Sequence, residues 1–279
     1  MDIYRQDILQ FNAENIFPIE STWNKEVSDI SPASPSSLDN NTCLSSLVTT
    51  HQPQPRVVVI GNLPFNISTP LVVQWLHDVA ERRGLWKFGP VPMVLTFQKE
   101  VADRLAADAW GEQRCRLSIL AQAFCEVKYL KTIPGTAFLP IPKVDAAIVK
   151  LVPLHQPLIP VPFPYVAKLV RCAFQFRCKQ VVRGIETLFP TCRPDLVIQL
   201  FKEAAVQPSK RPTQLSIQEF RDLCSVYQRI CQQNSDIFGF HYTARENLPH
   251  WHKRKQIQRD ILGSEQTLNV EYVRQQMVH

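Results

Sequence analysis

Four consecutive β-branched residues, Val57-Val58-Val59-Ile60, run directly into Gly61-Asn62-Leu63-Pro64-Phe65 and then Asn66-Ile67-Ser68-Thr69-Pro70. Such a run reads as a strand buried on both faces, the usual state in parallel sheets. Gly61 and Asn62 are expected to end it. Pro64 donates no backbone hydrogen bond and drives Leu63 into an extended conformation, so the carbonyls near Pro64 should lack ladder partners and face a ligand. Thr69 is the expected cap of a following helix, with Pro70 in its first position. The turn then lies at the carboxyl end of a strand, where open α/β sheets bind their ligands.

The residues of this turn suit methylation of an amine on a planar ring. An exocyclic adenine amine is a poor nucleophile because its lone pair is conjugated with the ring. The Asn62 side-chain oxygen and a backbone carbonyl at Leu63 or Pro64 can accept its two protons. Those bonds draw the lone pair out of conjugation and aim it at a methyl donor. Phe65 can stack on the base, since every base has a π face. An isolated Asn-x-Pro-Phe is a common loop; the strand-turn-helix context is what makes this one specific.

Residues 62–69, Phe97-Gln98-Lys99-Glu100-Val101-Ala102-Asp103-Arg104-Leu105, and Phe138-Leu139-Pro140-Ile141-Pro142-Lys143-Val144-Asp145 together resemble the signatures of the S-adenosylmethionine-dependent ribosomal RNA adenine dimethyltransferases. Phe65 in place of Tyr, the run 96–107 and Phe174-Gln175-Phe176-Arg177 are most similar to the mitochondrial branch of that family. The resemblance implies a Rossmann-like α/β methyltransferase core, lacking its first strands, followed by a small C-terminal α-helical domain. It implies S-adenosyl-L-methionine as cofactor and dimethylation of two adjacent adenines in a small-subunit ribosomal RNA loop. It also implies a monomer in the mitochondrial matrix, working on the assembling small ribosomal subunit. By the same resemblance, Asn62 with Leu63 and Pro64 orients the amine, and Phe65 and Phe138 stack the base from opposite faces. Asp7, Ile8 and Asn62 touch the cofactor, and Arg177 and Lys179 meet RNA phosphates. Related enzymes carry an unbroken basic run at 177–179; Cys178 interrupts it here, which implies one phosphate contact fewer.

The family's glycine-rich cofactor turn and ribose carboxylate are expected before Asp7, and no G-x-G-x-x-G occurs in these 279 residues. The chain therefore reads as N-terminally truncated, with the strand at Val57 left as an apolar edge. A non-catalytic RNA-binding or transcription-associated protein is the alternative that this leaves open.

Composition narrows the class further. With 45% hydrophobic residues the chain can build a sizeable core, and no run of about 18 apolar residues predicts a membrane span. Met1 to Asp7 resembles neither a signal peptide nor a transit peptide. The eight cysteines contain no Cys-x-x-Cys pair and read as reduced, mostly buried thiols. His250 and His252 lack further ligands nearby, so no metal site is expected. The net charge of +6 is uneven: residues 165–260 hold 16 Lys and Arg against 8 Asp and Glu, a surplus of 8. A near-neutral first half joined to a basic second half suits a catalytic core beside a nucleic-acid-binding lobe.

The expected division is a methyltransferase core over 1–157, a helical RNA-binding lobe over 158–248 and a basic polar tail over 249–279. Residues 21–55, rich in Ser, Pro, Asn and Thr, read as a mobile insertion in the core. Five prolines between Pro153 and Pro164 mark the boundary. Periodicity predicts strands over 91–98, 124–133 and 146–154, and helices over 71–83, 100–109, 116–122 and 165–182. Ser216 and Glu219 form a capping box that opens a last helix reaching about Cys231.

Overall fold

The computed structural model describes residues 57–241; Asp7, Ile8, the 21–55 segment and the 249–279 tail lie outside the described residues. Four strands form one mixed sheet. β1 (Val59–Asn62) pairs in parallel with β2 (Met93–Gln98), β2 pairs antiparallel with β4 (Ala146–Pro153), and β4 pairs antiparallel with β3 (Cys125–Ile133). The order across the sheet is β1-β2-β4-β3. Along β2, Met93, Leu95 and Phe97 are fully buried and alternate with half-buried neighbours, so one face carries the core. Three helices belong to this part: α1 (Phe65–Ala80), α2 (Lys99–Ala106) and α3 (Arg116–Phe124). α2 packs on β2, β3 and β4, and α3 joins α1 to α2.

Two expectations about the central turn are corrected. β1 is not buried on both faces: Ile60 is 80% exposed, and among the described residues the strand has a partner on one side only. It does end at Gly61 and Asn62, its last two residues, as expected. Gly61 lies close to its neighbours within the ladder: a Cβ there would stand 3.2 Å from Leu95 Cδ2 and 3.3 Å from Leu63 Cδ2. The helix also begins earlier than Thr69. Pro64 is its N-cap, and the Pro64 carbonyl accepts from Ile67 N at 3.2 Å and Ser68 N at 3.1 Å. Pro70 lies inside α1, where it has no N–H to give the Asn66 carbonyl.

After Pro153 the chain is helical. α4 (Phe163–Ala173) is followed by a 3-10 turn (Phe174–Phe176) and then α5 (Val182–Ile185), so the single helix expected over 165–182 is broken. Gly184 lets α5 lie against the end of α4, since a Cβ there would stand 2.2 Å from the Cys172 carbonyl oxygen. α6 (Pro194–Ala204), α7 (Ile217–Gln233) and α8 (Ser235–Gly239) complete the lobe. The capping box forms as expected, with Glu219 N donating to Ser216 Oγ at 3.1 Å and Ser216 N to Glu219 Oε2 at 2.9 Å. Buried side chains run without interruption from the sheet to α7.

Arg114 ties the two parts together. It is 1% exposed, yet its guanidinium donates from Nη1 to the Ala107 carbonyl at 3.0 Å and from Nη2 to the Leu215 carbonyl at 3.1 Å. Burial lowers its pKa from the ordinary arginine value, and Asp108 pulls the other way. Nearby, Trp110 N donates to the Thr213 carbonyl at 2.8 Å. In Arg114→Met the Ala107 carbonyl keeps Gln122 Nε2 at 3.0 Å, but the Leu215 carbonyl loses its donor. The expected loss is about 2–3 kcal/mol of unfolding free energy, read from the urea midpoint at constant slope. A midpoint equal to that of the unsubstituted chain would contradict the role.

Candidate active site

Asn62 is the last residue of β1 and is exposed, opposite Thr96 of β2. Leu63 is buried beneath it, and Phe65, half-buried, opens α1. The turn is tight because Pro64 fixes its own φ and leads at once into the helix. Ser68, fully buried, closes the first turn by donating from Oγ to the Phe65 carbonyl at 3.1 Å. The Pro64 carbonyl accepts from two N–H groups of α1, so it is not without a backbone partner as expected.

The connection over 134–145 joins β3 to β4 at this same end of the sheet. Its last residue is held by the start of α2: Lys99 N donates to the Asp145 carbonyl at 2.9 Å. Its first turn is held by the same residue, because Gly135 N donates to Asp145 Oδ1 at 3.0 Å. Gly135 also allows the loop to fold back on itself, since a Cβ there would meet the Pro142 carbonyl oxygen at 3.1 Å. In the ladder Gln98 faces Ala146, two residues beyond the Thr96–Asn62 pair. The 134–145 connection, with Phe138 in it, therefore enters β4 at the end of the sheet where β1 finishes at Asn62. Phe138 is half-buried, while Leu139 beside it is 97% exposed.

The charges beside this edge are paired along α2, with Lys99 Nζ 2.7 Å from Asp103 Oδ2 and Arg104 bonded to Glu100. The hydrogen bond to Asp103 raises the Lys99 pKa above its ordinary value. Among the described residues no group of three or more His, Cys, Asp or Glu could hold a metal ion. Arg177 and Lys179 are exposed on the turn after α4, and Arg177 Nη2 donates to the Glu112 carbonyl between α2 and α3. Asn62, Leu63, Pro64 and Phe65 are consecutive across the end of β1 and the start of α1, and Phe138 lies in the β3–β4 connection at the same end of the sheet. Asp7 and Ile8 lie outside the described residues.

Two residues that hold the site were given no role from the sequence. Asp145 could have been found as the acidic residue that closes a loop with Pro at both 140 and 142. Arg114 left no signal, since an arginine in a polar connection reads as a surface charge.

The family model described as "Ribosomal RNA adenine dimethylase" matches residues 1–229. The chain belongs to the ribosomal RNA adenine dimethylase family. Relatives in that family include the mitochondrial dimethyladenosine transferase 1 of Xenopus laevis, 49% identical over 195 residues that cover 70% of this chain and 56% of that protein. The Bos taurus protein of the same name is 47% identical over 195 residues, 70% of this chain and 57% of that one. The chain therefore spans a little over half the length of the curated relatives it matches. A crystal structure of a dimethyladenosine transferase from Plasmodium falciparum superposes with a TM-score of 0.52 at 23% identity, covering 67% of this chain and 69% of that one. The fold is Rossmann-like α/β, with a helical C-terminal region, as in that dimethyladenosine transferase.

In this member of the dimethylase family the double hold of Asp145 predicts a rigid loop. Asp145→Ala leaves Gly135 N without its charged acceptor, a bond worth about 1.5–3 kcal/mol. Limited thermolysin digestion should then cut within 134–145 at least about tenfold faster. Cleavage at the unsubstituted rate would mean that the ladder alone holds the loop.

Proposed function

We propose that this chain is the target-binding part of an S-adenosylmethionine-dependent enzyme that dimethylates two adjacent adenines in a small-subunit ribosomal RNA loop. The names of its relatives support placing it in mitochondria, and we assign it to the matrix, as a monomer acting on the assembling small subunit. Residues 1–157 carry the chemistry in this reading, and residues 158–248 hold the RNA. One observation carries the proposal: exposed Asn62 ends β1, Phe65 follows in the next turn, and Asp145 fixes the Phe138 loop to the same edge.

An unpaired loop adenine costs little to swing out of its stack. In the pocket its amine would give one proton to the Asn62 side-chain oxygen and one to the Leu63 carbonyl. Those two acceptors turn the nitrogen lone pair out of the ring plane and toward the methyl donor. Phe65 and Phe138 hold the ring between them, and an aromatic face stabilises the positive charge that the ring gains during transfer. The ammonium formed on the amine is acidic enough to lose its proton to water, so no side chain need act as base. The exposed amide of Asn62 beside the Leu63 carbonyl fits the reacting end of S-adenosylmethionine, and by resemblance Asp7 and Ile8 would hold its adenine. When bound, the cofactor supplies an electrophilic methyl group.

The test is nucleoside mass spectrometry of a small-subunit ribosomal RNA hairpin incubated with the protein and S-adenosylmethionine. N6,N6-dimethyladenosine is the expected product. Phe138→Tyr should retain most of it, whereas Phe138→Leu should lower the yield by about tenfold, because its lost contact strengthens as the base becomes cationic. Hairpin binding with no methylated adenosine would overturn the transfer reading in favour of an RNA-binding protein. Equal yields from Leu and Tyr at position 138 would make Phe138 a packing residue.

A further inference from the structure

Four cationic side chains from separate stretches of the chain line one cavity of about 500 Å³. Arg116 comes from the first turn of α3, Lys168 and Arg171 from α4, and Arg177 from the turn that follows. Phe174 and Gln175 contribute to the wall, and among the described residues none of the 11 that line the cavity is acidic. Two of the cations are already engaged. Lys168 Nζ donates to the Phe238 carbonyl and, at 2.9 Å, to the Phe240 carbonyl, while Arg177 gives an N–H to Glu112. Arg116 and Arg171 are exposed, and neither is in an ion pair among the described residues.

Like charges gathered without counter-charge repel one another, and an anion seated among them removes that repulsion. Ordinary surface arginines stand apart on convex ground, whereas these surround a cavity of ligand size. Its lining combines guanidinium groups for a phosphate, an aromatic ring for a base and a carboxamide for a base edge. That is the set a single nucleotide of an unpaired strand requires.

We propose that this cavity seats one nucleotide of the substrate RNA, its phosphate held by Arg116 and Arg171 beside Arg177. The proposal rests on the RNA-methylation reading above and deepens it by naming a contact distant in sequence from the target turn. It also bears on the interruption at Cys178: the cation missing from that run is replaced from α3 and α4, so the expected loss of one phosphate contact does not follow.

The experiment is fluorescence anisotropy of a labelled small-subunit ribosomal RNA hairpin, over a series of salt concentrations, with the full chain. Arg116→Gln/Arg171→Gln keeps the aliphatic stems and touches no buried group, and unchanged circular dichroism checks that the fold is kept. Binding should weaken about tenfold, and the slope of log affinity against log salt should fall by about one. Arg116→Lys/Arg171→Lys should restore most of the affinity. Lys87→Gln/Lys202→Gln removes the same charge from exposed positions outside the cavity and should change the affinity little. Equal weakening by the two glutamine doubles would overturn the proposal, leaving only general charge attraction. So would unchanged binding in the cavity double, or thermal protection by inorganic phosphate or AMP with no effect of the double on RNA. If the unsubstituted chain bound no RNA at all, the methylation reading itself would fall.

Discussion

The parallel pairing of β1 with β2 is the constraint on which the site depends. It sets Asn62 opposite Thr96 and so places an exposed amide at the carboxyl end of the sheet. A slip of one residue would turn Asn62 to the other face and bring Leu63 out of the core. Gly61 packs closely between Leu95 and Leu63, where a Cβ would stand 3.2 and 3.3 Å from their side-chain carbons. The antiparallel β2–β4 ladder then brings 134–145 to the same end, and Asp145 holds both ends of that loop. Backbone pairing therefore fixes Asn62 and the ends of the 134–145 loop at one end of the sheet.

The helical lobe is joined to this edge by polar bonds laid over a continuous apolar core. Arg114, Trp110 and Arg177 each make a hydrogen bond between the α2–α3 connection and the lobe. The α2–α3 connection comes directly after the helix that follows β2, so the lobe's position is tied to the strand that sets the register of Asn62. An RNA held by the basic lobe would then meet the target turn at a defined separation.

Local signals were legible where one residue decides the backbone. The strand-turn-helix order around Asn62, the alternation in β2 and the Ser216–Glu219 box could all be read from spacing. The start of α1 could not. Pro70 is favoured at a first helical position, but Pro64 already supplies an N-cap whose carbonyl collects two N–H bonds, and the earlier start prevails. The break after α4 was hidden as well. After it, α5 folds back so that Gly184 meets the Cys172 carbonyl, a contact between segments that no local pattern encodes. Arg114 and the cationic cavity belong to the same kind: their residues are spread from 107 to 215 and from 115 to 241, and only the fold gathers them.

The central claim is that Asn62 activates one amine while affinity for RNA resides elsewhere. Asn62→Ala separates the two most directly, with methyl incorporation and filter binding measured on the same hairpin. Transfer should fall by on the order of a hundredfold or more, as for loss of a preorganised hydrogen-bonding group, with RNA affinity within about twofold of the unsubstituted value. A parallel fall in both, or transfer left intact, would contradict it.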